Sequence, residues 1–161
     1  MARVTTDQTM RPMVHIRAGK YATVGGIEYR ARASYRKIWL YLPATGPRPD
    51  GWIDTGKGEW STEVTRVEVT SLVKVRTRAR FDSLPVDVFE VFPDGQVMIL
   101  ASPGAGDAGA QLDHPPHSEL SPLHGNAASL DGWVGRVAPE RLTDVVESIE
   151  ELDVTRFGVP R

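Results

Sequence analysis

Strict alternation of apolar and polar residues constrains this chain more than any other feature. Val73, Val75, Thr77, Ala79 and Phe81 alternate with Lys74, Arg76, Arg78 and Arg80. A strand turns successive side chains to opposite faces, so this pattern predicts a half-buried strand with one basic face. Ile27, Tyr29, Ala31, Ala33 and Tyr35 alternate in the same way with Glu28, Arg30, Arg32, Ser34 and Arg36, and Ile38, Leu40 and Leu42 continue the rhythm with Trp39 and Tyr41 opposite. Between Tyr21–Val24 and Ile27 stand Gly25 and Gly26, which accept the positive φ that a two-residue hairpin needs. Val86–Phe92 and Gln96–Ala101 flank Pro93-Asp94-Gly95 and predict a further hairpin. Pro43 to Gly51, with three prolines and two glycines, is a loop.

A weak internal repeat runs through these strands. Ala22-Thr23-Val24 with Ile27-Glu28-Tyr29 aligns with Ala79-Arg80-Phe81 and Leu84-Pro85-Val86, and Ile38-Trp39-Leu40 with Val97-Met98-Ile99. Asp50-Gly51-Trp52-Ile53 matches Asp131-Gly132-Trp133-Val134, and Val64–Leu72 lies opposite Val137–Val145. The expected fold is mainly β with some helix (α+β): two similar small antiparallel β units, residues 20–72 and 73–152, packed into a single compact body spanning 1–161. The second unit carries a long loop, 102–129, whose four prolines, four glycines and lack of periodicity predict an exposed, partly mobile segment. Near the end, Leu142, Val145, Val146, Ile149 and Leu152 recur at helical spacing behind Pro139. They predict a C-terminal amphipathic helix whose other face holds Glu140, Asp144, Glu147, Glu150 and Glu151.

Composition narrows the chemistry. A chain of 161 residues, 40% hydrophobic and 25% charged, can bury a core without covalent staples. It has no cysteine, which excludes disulfides, thiolate metal sites and cysteine nucleophiles. No run approaches the roughly 20 apolar residues of a bilayer span, and Met1–Gly19 lacks the apolar stretch of a signal peptide, so a cytoplasmic protein without membrane contact is expected.

Motifs with catalytic or cofactor potential do not survive their context. Gly104-Ala105-Gly106-Asp107-Ala108-Gly109 spells a dinucleotide fingerprint, yet Pro115-Pro116 follows where a helix would have to run. His114, His117 and His124, with Asp113 and Glu119, have ligand chemistry, but the surrounding prolines and Gly125 supply no rigid second layer to hold them around a metal. Asp50, Asp54, Glu59, Glu63 and Glu68 offer carboxylates without a spacing that selects an acid–base pair. The reading is therefore a non-enzyme with no cofactor and no metal.

Charge is the remaining signal. Residues 1–80 hold 15 Lys and Arg against 7 Asp and Glu, and the remaining residues hold 4 against 14, which is +8 followed by −10. Arg30, Arg32 and Arg36, and Lys74, Arg76, Arg78 and Arg80, would form stripes whose same-face side chains stand about 6.6 Å apart, near the scale of nucleic-acid phosphates. Trp39, Tyr41, Trp52 and Trp60 could stack on bases. A pI near 6.1 and the acidic second half weigh against nucleic acid.

In Tyr21–Ala31, the Trp39, Trp52, Trp60 cluster and the paired Asp-Gly-Trp, the chain resembles the small tryptophan-bearing immunity (antitoxin) proteins of secreted toxin systems in actinobacteria. That resemblance implies an inhibitor that binds a cognate protein toxin, occludes its active site and performs no turnover; a monomer is expected. The expected contacts are Glu147, Glu150 and Glu151 on the acidic helix, or the long loop, against a basic cleft, with Trp39, Trp52, Trp60, Arg76 and Arg78 as further anchors. A small β-barrel nucleic-acid or peptide-binding module using Arg76, Arg78 and Trp39 is the alternative, and a hydrolase-type enzyme with two carboxylates of separated pKa is the second.

Overall fold

The structure, a computed structural model, describes residues 2–6, 15–34, 37–102, 117–122, 132–156 and 159–160. Thirteen strands are formed among the described residues: β1 (Ala2–Thr6), β2 (Gly19–Val24), β3 (Ile27–Ala33), β4 (Ile38–Pro43), β5 (Ile53–Asp54), β6 (Glu59–Val64), β7 (Val69–Phe81), β8 (Leu84–Val91), β9 (Val97–Ala101), β10 (Ser121–Pro122), β11 (Trp133–Val137), β12 (Leu142–Asp153) and β13 (Val159–Pro160). Three single-turn 3-10 segments, Arg66–Glu68, Pro139–Arg141 and Val154–Arg156, join some of them. The chain divides into two compact units, one of Met1–Thr5, Ala18–Val75 and Ser148–Arg161, the other of Thr6–Arg17 and Arg76–Glu147. The division falls inside β1, between Arg17 and Ala18, inside β7 and inside β12.

In the first unit the strand order is β5-β6-β4-β3-β2-β7, antiparallel throughout. Gly25 and Gly26 take φ of 58° and 81°, the paired left-handed geometry of a type I′ turn that only glycine adopts without steric cost. The alternation read in the sequence matches the burial pattern over Tyr29–Ala33 and Ile38–Leu40, whereas Ile27, beside the turn, is 56% exposed. Ala22, Ala31, Ile38, Leu40, Val69, Leu72 and Leu152 form one buried cluster, with Tyr29, Trp52 and Val64 packed at its margin. Burying a Leu or Ile side chain is worth about 1.5–3 kcal/mol, so Ile38, Leu40 and Leu72, each almost fully enclosed, dominate this core.

In the second unit the order is β10-β11-β9-β8-β7. Val97, Ile99, Ala101 and Phe81 are fully enclosed, and Val86, Val88, Trp133 and Val137 nearly so. Thr77 is buried among them, and its hydroxyl donates to the Arg17 carbonyl at 2.5 Å. The hairpin joining β7 to β8 turns on Asp82 and Ser83, which hold φ of 46° and 70° with no glycine. Asp tolerates this region better than most residues, and Ser less so, so strain is concentrated in this turn.

Both units run through the same sequence of elements: a hairpin, a third strand, a two-residue strand, a longer strand, a 3-10 turn and a closing strand. The registers agree residue by residue. Ile38 faces Val64 as Val97 faces Val137, Leu40 faces Thr62 as Ile99 faces Gly135, and Leu42 faces Trp60 as Ala101 faces Trp133. The Asp-Gly-Trp match in the sequence is out of step with this register. Trp52 precedes β5, and the position equivalent to Trp133 is occupied by Trp60.

The C-terminal amphipathic helix expected from Leu142, Val145, Val146, Ile149 and Leu152 is not formed. This segment is β12, paired with β7, β1 and β13. Three of its five periodic apolar residues are β-branched, a class that favours strands. Asp144 adopts φ of 51°, which interrupts the regular pleat near the strand's start and lets apolar residues fall three apart. Residues 145–150 are all half-buried, so neither face gives a clean period of two.

Candidate functional site

The first unit presents its chemistry on the side of β3, β4 and β6 that faces away from the core. Ala31, Ile38 and Leu40 point inward. Alternation therefore sends Arg30, Arg32, Trp39, Tyr41 and Glu63 to the other side, with Ser61 on that side but buried, 6% exposed. Two cross-strand rows result: Arg30–Tyr41–Ser61 and Arg32–Trp39–Glu63. The Arg30 guanidinium lies 4.7 Å from the Tyr41 ring centroid and forms an ion pair with Glu59. Lys37 Nζ approaches the Glu63 carboxylate at 3.4 Å. Arg32 is exposed and makes no ion pair among the described residues. The face thus combines aromatic area with both signs of charge, on strands rather than loops.

In the second unit the outward side of β7 carries Arg76, Arg78 and Arg80, all exposed. This is the basic stripe read from the sequence, but acidic neighbours partly neutralise it. Arg78 Nε lies 3.6 Å from Asp87 and Arg80 Nε 3.7 Å from Asp144. Exposed pairs of this length contribute little stability, roughly 0–1 kcal/mol, yet they lower the stripe's attraction for polyanions.

A linked polar cluster, not foreseen in the sequence, surrounds the strained turn of the second unit. His117 Nε2 meets Asp82 at 2.8 Å, and His117 Nδ1 accepts the Glu119 backbone N–H at 3.1 Å. An accepting Nδ1 leaves the proton of the neutral ring on Nε2, which donates to Asp82. Arg141 donates to both Glu119 carboxylate oxygens at 2.6 and 2.5 Å and to Asp82 at 3.2 Å. The Phe81 ring lies beneath, 4.4 Å from the imidazole and 4.6 Å from the guanidinium. The His117 hydrogen bond, with help from Arg141, holds the Asp82 carboxyl below its ordinary value, and Glu119 raises Arg141 further. The groups of this network satisfy one another. Its evident work is to fasten residues 117–122 onto β7 and the Pro139–Arg141 turn. That part of the predicted mobile loop is therefore tied down, with Leu120 buried.

The residues singled out from the sequence are distributed over both units. Trp39 is half-buried on the outward face of β4, whereas Trp60 is 7% exposed and belongs to the interior. Trp52 is half-buried against Tyr29, ring centroids 5.6 Å apart, at the edge of the core. Glu147 is bound by Arg17, whose Nη2 lies 3.0 Å away. Glu150 is half-buried and Glu151 exposed. Adjacent positions on a strand face opposite ways, so Glu150 does not share a side with Glu147 and Glu151. His114, His124, Asp113 and Gly104–Gly109 lie outside the described residues. Among the described residues no group of three His, Asp or Glu side chains is placed to hold a metal ion. No helix among them is long and apolar enough to cross a membrane.

Comparison with known proteins returns no matching family model, no matching curated protein and no matching solved structure.

Proposed function

We propose that this chain is a non-catalytic protein-binding protein that captures its partner through the outward β3–β4–β6 face of the first unit. The observation that carries this reading is the pair of rows Arg30–Tyr41–Ser61 and Arg32–Trp39–Glu63, two aromatics each flanked by an arginine on regular strands. Trp, Tyr and Arg are the residues that most often anchor protein interfaces, and a strand scaffold fixes them before binding, which lowers the ordering cost of association. Glu59 and Glu63 accompany these arginines. A polyphosphate would meet those carboxylates, while a folded protein surface can complement both signs. This favours a protein over a nucleic acid. An immunity-type inhibitor that blocks a toxin is the specific form we infer, from the resemblance in the tryptophan-bearing β pattern.

The test is capture of the toxin-like product of an adjoining gene by the full chain on a biosensor surface. Wild type should bind, and Trp39→Ala should lose about 30-fold in affinity, the equivalent of a 2 kcal/mol anchor. Absence of capture by wild type, or equal capture by Trp39→Ala, overturns the reading. A labelled single-stranded oligonucleotide at low salt is the second arm; binding that falls steeply with added salt would transfer the function to nucleic acid.

A further inference from the structure

The matching registers of the two units expose a relation between their outward faces. Arg32 faces Trp39, which faces Glu63. At the equivalent positions Glu90 faces Met98, which faces Arg136. One row reads cation, aromatic, anion, and the other reads anion, thioether, cation. Strands lie about 4.8 Å apart, so each row spans about 10 Å. If one row is turned over onto the other about the row's own axis, all three positions match together: Arg32 on Glu90, Trp39 on Met98, Glu63 on Arg136. Sulfur against an aromatic ring is itself a favourable contact.

The ends of the rows are suited to such pairing. Arg32 and Glu90 are exposed and make no ion pair among the described residues. Arg136 is fixed in place, 3.8 Å over the Phe92 ring and donating to Asp94 at 2.7 Å and to Gln96 at 2.8 Å. The register of β8 shifts between Val88 and Glu90, and the intervening Phe89 is 47% exposed beside the row. A bulge of this kind re-aims a side chain, and here it adds apolar area to the edge of an otherwise small contact.

We propose that a second copy of this chain is an occupant of the first unit's outward face, bound through its own Glu90–Met98–Arg136 row. The proposal rests on the reading of that face as a protein-binding surface. Self-association and partner capture then compete for Trp39 and Arg32, and the copy acts as a weak placeholder that a better-fitting partner displaces.

Sedimentation velocity of the full chain across roughly 0.01–1 mM tests it, at the weak end of specific interfaces. Wild type should show mass rising with concentration. Raising ionic strength from about 0.1 M to about 1 M, which shortens the screening length from about 10 to about 3 Å, should weaken the association at least tenfold. Arg32→Glu and Glu90→Arg should each remain monomeric, because each places like charges face to face. An equimolar mixture of the two variants should associate again, since Glu at 32 then meets Arg at 90 across the two chains. A monomeric wild type throughout this range, or a mixture that stays monomeric, overturns the proposal. Retained partner capture by a strictly monomeric wild type would remove the self-association while leaving the capture surface in place.

Discussion

Gly135→Ala is the sharpest probe of how the second unit is assembled. Gly135 sits in β11 opposite Ile99. A Cβ added there would stand 2.7 Å from Leu120 Cδ2 and 2.9 Å from the Glu119 carbonyl oxygen, both inside normal contact distance. The leucine methyl can rotate aside, but the carbonyl belongs to the backbone, so residues 117–122 must lift. Overpacking of this kind costs about 1–3 kcal/mol. For a chain of this size each kcal/mol lowers Tm by about 2–4 °C, so calorimetry should record a fall of about 2–12 °C. The displacement also has a chemical readout: the Glu119 amide, hydrogen-bonded to His117 Nδ1, should lose protection from exchange. Leu120→Ala alone should cost about 2–5 kcal/mol through the cavity it leaves. The double variant should cost less than the sum, because one of the two contacts made by the new methyl has gone. A neutral Gly135→Ala, within about 0.5 kcal/mol of wild type, or strict additivity in the double variant, would show that residues 117–122 are not seated on β11.

Further outcomes follow from burial, backbone strain and charge. Trp60→Ala should cost about 3–5 kcal/mol in urea denaturation, whereas Trp39→Ala should leave most of the stability and weaken partner capture about 30-fold. Ser83→Gly should be neutral to slightly stabilising, since relief of about 1 kcal/mol of left-handed strain is offset by about 0.5–1 kcal/mol of added chain entropy, while Gly26→Ala at φ 81° should destabilise by about 1 kcal/mol; urea midpoints compare the two turns. The native Asp82 carboxyl titrates below its ordinary 3.8, so its contribution is fully present above that value and disappears as pH falls through the lowered native one. The stability gap between wild type and Asp82→Asn should accordingly be constant near neutrality and narrow on acidification, and a gap that widens in acid would contradict the Asp82–His117 geometry.

What the sequence disclosed, and what it withheld, divides along one physical line. Wherever one side of a strand is buried and the other wet, as in Val75–Phe81 and Tyr29–Ala33, period two is written directly in the residues. Gly25-Gly26 announced its turn because only glycine is free there. The equivalent turn at Asp82-Ser83 carried no such mark, since its geometry is imposed by the register of β7 on β8 rather than by residue preference. The β12 segment reads as a helix for a related reason: partial burial on both sides erases the alternation, and the irregular backbone at Asp144 replaces it with spacings of three and four. The abundance of Val, Ile and Thr in that segment was the available signal. The cluster of Asp82, His117, Glu119 and Arg141 draws on residues up to 59 apart, which no local pattern can bring together.

The strand conformation of β12 also changes what the charge asymmetry can accomplish. A helix would have gathered Glu147, Glu150 and Glu151 on one side as a concentrated acidic field. A strand splits them, and Arg17 already holds Glu147 while Arg80 lies beside Asp144. Excess positive charge early in the chain and excess negative charge late are thus partly spent on local pairs, where exposed ions at 3.6–3.7 Å contribute little energy but cancel much of the distant potential. The proposed recognition would depend less on long-range steering than on short-range register, in which cations, rings and anions must each meet a complement within about 10 Å. Surfaces of mixed sign reject mismatched partners strongly, because a shift by one position sets like charges together. In the proposed reading, specificity of this kind belongs to the rows Arg32–Trp39–Glu63 and Glu90–Met98–Arg136, and strand pairing sets it: the same register that buries Ile38, Leu40, Val97 and Ile99 presents these rows.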